Sequence, residues 1–283
     1  MKKIISSICI LFLLYSCNWF SPKDSKEKKS NENLEQELMQ DNTKKMKRVF
    51  FELPSPIEIS LLIKKSGFHY QEDLLNNVDN LPGYSTSVSR AIALGVYCAD
   101  LSYASLNEQY QTSIEYINVA RNLAESLGVL RTVDQDKIQL LEDNVTNKEL
   151  IVDIISEIYM ESSEQLREQD RYKLSSLMLI GGWIESMYLA TQSIQSTDKS
   201  NELLIQRVLE QKLSLESIKR VLEDNKADPV ISPIYNNILD LEKLFNESIK
   251  SNPDDDDFYA KIDFVSFDKL VRKISDIRDY LIH

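Results

Sequence analysis

Leu94-Gly95-Val96-Tyr97-Cys98-Ala99-Asp100-Leu101-Ser102-Tyr103-Ala104 and Leu179-Ile180-Gly181-Gly182-Trp183-Ile184-Glu185-Ser186-Met187-Tyr188-Leu189 are the two stretches whose reading decides the fold. Each is apolar nearly all round at helical spacing, and a helix with no polar face is one that other helices surround. The two segments are therefore expected to be the central pair of an all-α molecule. Both set small residues, an aromatic, one acid and a tyrosine three places after it in an apolar frame. Two long buried helices reach such a likeness by chance, and internal duplication stands beside that as the alternative.

Outward from this pair, apolar residues recur at helical spacing from Ser55 onward and are punctuated by capping signals. Ser55-Pro56-Ile57-Glu58 joins an N-cap serine, a proline at the first helical position and a capping-box glutamate, and Gly67 suits a left-handed C-cap. Beyond a loop at Leu81-Pro82-Gly83, helices are expected over about 85–107 and 108–127, the second stopped by Gly128. A short helix capped by Asp134 should reach Asp143, and Thr146-Asn147-Lys148-Glu149 reads as a second capping box opening a helix to Gln169. Helices over about 171–196 and 198–223 follow. Ser232 should cap one that runs to Lys250, and the last starts near Ser266. This is an antiparallel multi-helix bundle or short helical array of about eight helices, occupying residues 48–283. No 34-residue or similar period marks a repeat solenoid. The chain's 6 Gly and 7 Pro argue against a turn-rich all-β fold and against glycine-rich phosphate loops.

Glycine inside a helix costs ~1 kcal/mol relative to alanine, so Gly95 and Gly181-Gly182 need a compensating gain. Close helix–helix approach supplies one, and room for a ligand is the alternative. Asp100 and Glu185 are the sole acids of their apolar segments, and a buried carboxylate without a partner is costly or protonated. Tyr103 and Tyr188, three residues on, are placed to cover or bond them, and Arg90, Arg171 and Lys173 are candidate cations. Two readings follow. The acids belong to a satisfied structural network, or they face a shared ligand cavity walled by Tyr97, Tyr103, Trp183 and Tyr188.

The N-terminus has the order of a secretory signal: Lys2-Lys3, an apolar stretch from Ile4 to Leu14, and a small residue before Cys17. The stretch is too short to span a bilayer, which takes ~20 apolar residues. Leu14-Tyr15-Ser16-Cys17 resembles the lipobox of bacterial lipoproteins. That resemblance implies a signal peptide over 1–16, cleavage before Cys17, and a lipid and palmitate on that cysteine. Residues 17–47 are then the lipidated cysteine and a flexible tether, since their Lys, Glu, Asn, Ser and Gln bury too little to offset ordering entropy. With Cys9 removed and Cys17 modified, Cys98 is the remaining thiol, no disulfide can form within one mature chain, and an apolar helix makes that thiol a small buried hydrophobe.

Charge narrows the partners. The chain has 33 Lys and Arg against 45 Asp and Glu, a net of −12, and loss of Lys2 and Lys3 takes it to 31 against 45, or −14. Nucleic acid and anionic lipid surfaces are poor partners for such a molecule. A di-iron carboxylate bundle needs Glu-x-x-His pairs on two helices, and the 2 histidines, His69 and His283, do not supply them. Glu157, Glu161 and Glu164 read as a solvated helix face. Asp254-Asp255-Asp256-Asp257 lacks the alternating ligands and turn glycine of an EF-hand loop. Nucleophile-elbow, Walker, dinucleotide and zinc-protease motifs are missing. No cofactor or metal is expected, and any acid–base chemistry would rest on Asp, Glu, Tyr or Lys.

The segments Leu94–Ala104 and Gly181–Glu185, behind a lipoprotein signal, resemble those of uncharacterised all-helical lipoproteins of Gram-negative bacteria. The resemblance implies the helical fold and a place in the cell envelope, lipid-anchored at the outer membrane, and carries no assigned reaction. Three functional readings remain open: a non-enzymatic scaffold or protein-interaction module, a small-ligand-binding module, and a carboxylate-based hydrolase.

Overall fold

A computed structural model describes residues 55–129, 139–141, 143, 144, 146–194, 196, 199–250 and 258–283. The residues expected to form the signal and the tether, with Cys17, Asp134 and the run Asp254–Asp257, lie outside these residues. Nine α-helices have both ends among them: α1 Pro56–Lys65, α2 Ser87–Leu106, α3 Tyr110–Leu127, α4 Lys148–Glu168, α5 Tyr172–Ser193, α6 Glu202–Glu210, α7 Lys212–Glu223, α8 Ile231–Glu247 and α9 Phe264–Ile282. Helical residues also occur at Gln139–Leu141 and Asp143. The one β-pairing described is an isolated bridge between Ile249 and Ile262. The all-α array expected from the sequence is the observed fold. Among the described residues, no helix is long and apolar enough to cross a membrane.

Several helix ends follow directly from local sequence. The Ser55 side chain accepts from Glu58 N and Glu58 reaches back to Ser55 N, closing the capping box of α1. Gly128 ends α3 in the left-handed region at φ 73°, where a side chain would be strained. Other ends differ from expectation. The cap of α4 is Asn147 rather than Thr146, its side chain accepting from Leu150 N at 3.3 Å. At α8 the capping oxygen belongs to Asp228, whose Oδ1 accepts from Val230 N and Ile231 N, and Ser232 is already inside the helix. The helix expected over 198–223 is a 3₁₀ turn and two α-helices that break at Gln211. Its inward stripe, Leu204, Ile205, Val208 and Leu209, would continue through Gln211 and Lys212, which are polar, before resuming at Leu215 and Ile218. The expected loop at Leu81-Pro82-Gly83 is the end of a 3₁₀ turn, Val78–Gly83.

The centre is the pair α2 and α5. Every residue from Ala91 to Leu106 is buried, as are Ser175 to Met187 on α5. Around them pack α1, α3, α4 and α9, with α8 behind α9 and α7 against α8. Glycine is what lets the pair approach. A Cβ at Gly95 would collide with the Met178 carbonyl and come within 2.7 Å of Gly182 N. One at Gly181 would strike the Ile92 carbonyl, and one at Gly182 would lie 2.6 Å from the Tyr159 hydroxyl. Backbone contact between helices therefore offsets the helix cost of these glycines.

Candidate functional site

Asp100 and Glu185 project from α2 and α5 into the interior, and both are fully buried at 0 % exposure. The structure brings them together: the two carboxyls are in hydrogen-bonding reach of each other. Their cation is none of the three expected. Arg278, from α9, clamps Glu185 in a two-pronged ion pair, Nε to Oε2 at 3.0 Å and Nη2 to Oε1 at 3.1 Å. Its Nη2 also donates to the Leu74 carbonyl at 3.3 Å, and the guanidinium lies 4.6 Å from the Tyr188 ring centre. Asp100 Oδ2 accepts from Asn76 N at 3.2 Å. Arg90 instead donates to the Tyr84 carbonyl, Arg171 to that of Leu127, and Lys173 pairs with Asp228.

The charges of this cluster follow from its geometry. Burial, then the neighbouring Glu185 charge, pushes the Asp100 carboxyl well above the usual carboxylate range, against the pull of Arg278 and of Asn76 N–H. Burial also raises Glu185, and Arg278 draws it back down. Two carboxyls facing one guanidinium titrate as a unit that retains one proton, carried on the Asp100 side, with Glu185 ionised against Arg278. Asp100 Oδ1 is the one carboxylate oxygen of the pair with no hydrogen-bond donor among the described residues. With that proton retained, the cluster holds one cation, one anion and one neutral acid.

Around the acids runs a tyrosine shell centred on Asn76. Tyr116 donates to the Asn76 carbonyl at 2.9 Å, Asn76 Nδ2 donates to the Tyr84 hydroxyl at 2.9 Å, and Tyr97 donates to the Asn77 carbonyl at 2.8 Å. The bonds from Tyr97 and Tyr116 fasten the segment between α1 and α2 onto α2 and α3. The residues read from sequence as cavity walls thus divide. Tyr188 meets the acids through Arg278. Tyr103 does not bond Asp100 but accepts from Gln71 N at 3.2 Å and packs on Tyr70. Tyr97 lies between Tyr84 and Tyr116. Trp183 is buried, with no partner for its Nε1 among the described residues.

Sequence reading overlooked Arg278 and Asn76. A signal existed for the arginine, which continues the buried stripe of Phe267, Leu270, Ile274 and Leu281 at helical spacing, a place for an apolar side chain. Asn76 works through both its backbone and its amide, from a segment between helices that has no such mark.

An apolar hollow elsewhere, lined by Leu94, Cys98, Ile117 and Ile155, touches neither acid. Burial raises the Cys98 thiol to about 12, so it is no nucleophile. No cluster of three or more His, Cys, Asp or Glu suited to a metal occurs among the described residues. Comparison with protein families, curated proteins and solved structures finds no match to this chain.

Proposed function

We propose that the chain is a lipid-anchored envelope lipoprotein, held by Cys17 at the outer membrane, whose helical domain is a non-enzymatic scaffold for protein interaction. The observation that carries this reading is the closure of the central acids by Arg278, Asn76 and the tyrosine shell. A carboxylate that works on a substrate needs an opening to it. These are fully buried and engaged in holding α2, α5 and α9 together. The apolar side chains left outside include Leu213, Val265, Tyr280 and Leu203, at 75 %, 67 %, 53 % and 51 % exposure. Exposed apolar side chains seat a partner where they join into a patch, and Tyr280 is of the type enriched at such contacts.

The anchor and the scaffold are tested separately. Mass spectrometry of the mature N-terminus should find acylated Cys17, and Cys17→Ser should move the protein from the detergent phase to the aqueous one. An unmodified thiol there would remove the anchor. Cross-linking in intact envelopes should yield one discrete adduct that is lost in Leu213→Glu or Val265→Glu while the fold persists by circular dichroism. Adducts indifferent to both substitutions, or none, would remove the scaffold.

A further inference from the structure

Between the 3₁₀ turn Val78–Gly83, the start of α2 and the last turn of α9 lies a hollow of about 320 Å³, in the range of small-molecule sites. Its walls include Asp79, Asn80, Tyr84, Ser89, Ile282 and His283. It adjoins the buried network without belonging to it: Asn80 Nδ2 donates to Asn76 Oδ1 at 2.7 Å, and Asn76 also holds Tyr84 and Asp100.

The groups left over decide what would bind. Asn80 has committed its amide nitrogen, so its carbonyl oxygen remains as an acceptor. The Ser89 hydroxyl donates to the Thr86 carbonyl and accepts from Thr86 N, both at 3.1 Å, within the cap of α2. Asp79 is exposed, and its carboxylate has no hydrogen-bond or ion-pair partner among the described residues. Beside these acceptors, Tyr84 and Ile282 give a buried apolar floor, each 6 % exposed. The whole chain's net charge of −12 favours a cation reaching them.

We infer that this hollow binds a small organic cation, a primary ammonium on a short apolar body. The ammonium sits on the Asp79 carboxylate and the Asn80 carbonyl, and the body lies on Tyr84 and Ile282. Such a ligand bridges the 3₁₀ turn to the end of the helix that carries Arg278, so it braces α9 against the rest of the domain.

The test is calorimetric titration of the full chain with pentylammonium, its isosteric anion pentanoate, and neutral pentanol. Pentylammonium should saturate with one site and pentanoate should not bind. Asp79→Asn, at an exposed position where folding is not at stake, should weaken pentylammonium by about tenfold or more, as loss of a charge-assisted bond does. Hydrogen exchange of residues 280–283 should slow on binding. Absence of saturation up to about 10 mM, equal binding of pentanoate or pentanol, or unchanged affinity in Asp79→Asn would each overturn the assignment.

Discussion

A carboxyl buried beside another carboxyl and facing a single guanidinium does better neutral than charged, and that asymmetry separates the three residues at the centre. Removing Arg278 leaves the Glu185 anion in a fully buried place with no counter-charge, a loss that typically amounts to roughly 3–5 kcal/mol. Asp100→Asn is different in kind. An asparagine there keeps an acceptor for Asn76 N and gains a donor toward Glu185, reproducing the protonated acid. Arg278→Met should therefore lower stability by several kcal/mol in chemical denaturation, on the order given for a broken buried pair, whereas Asp100→Asn, which is neutral without taking up a proton, should be at least as stable as the parent at neutral pH. Equal losses in the two variants would mean that Asp100 carries a charge. The acids were legible in the sequence because each interrupts a long apolar run. Their partner was not, because Arg278 stands among Lys269, Arg272, Lys273, Asp276 and Asp279, and pairing across 93 residues of chain is decided by tertiary packing alone.

At the scale of elements, the glycines of the central pair decide how near α2 and α5 can come. Gly95→Ala gains ~1 kcal/mol of helix propensity, but its methyl meets the backbone of Met178 and Gly182, which cannot rotate away. The helices must separate, and the packing lost across the pair should outweigh the propensity gain by roughly 1–3 kcal/mol. Gly83→Ala is the control, since a Cβ there meets nothing within 4 Å. Thermal denaturation should show a depressed Tm for the first and little change for the second; an unchanged Gly95→Ala would mean that the pair is looser than its geometry. Elements specified by their own residues were legible: the Ser55 cap, the Gly128 stop, the two apolar helices. Elements specified by competition were not. Asn147 and Asp228 displaced equally suitable neighbours as caps, and the break at Gln211 reflects two polar residues on an inward stripe rather than a helix breaker. The likeness between Leu94–Ala104 and Leu179–Leu189 likewise has a packing reason. α2 opens the hairpin it forms with α3, while α5 closes the one it forms with α4, so the segments hold opposite places in their hairpins and share only the burden of being central.

For the whole molecule, the retained proton makes stability depend on pH in a direction opposite to that of most carboxylates. The Asp100 carboxyl titrates well above its ordinary value of 3.8 in the folded chain and near that value unfolded. Between those two points the folded state holds a proton that the unfolded state has released, so stability falls as pH rises through the window, at up to about 1.4 kcal/mol per pH unit, and is fully present below the unfolded value. Carboxylates paired at the surface act the other way: Lys173 holds Asp228 below its usual range, so the part it contributes is lost on acidification. The net profile mixes the two, and a difference isolates the buried acid. Asp100→Asn carries no titrating group at that position, while every surface carboxylate is common to both proteins. Subtracting its denaturation free energies from those of the parent, at intervals from pH 8 to pH 4.5, should therefore give a difference that grows in the parent's favour as the solution is acidified. Parallel curves would place a charged Asp100 beside a charged Glu185, two buried anions that the single guanidinium of Arg278 could not neutralise.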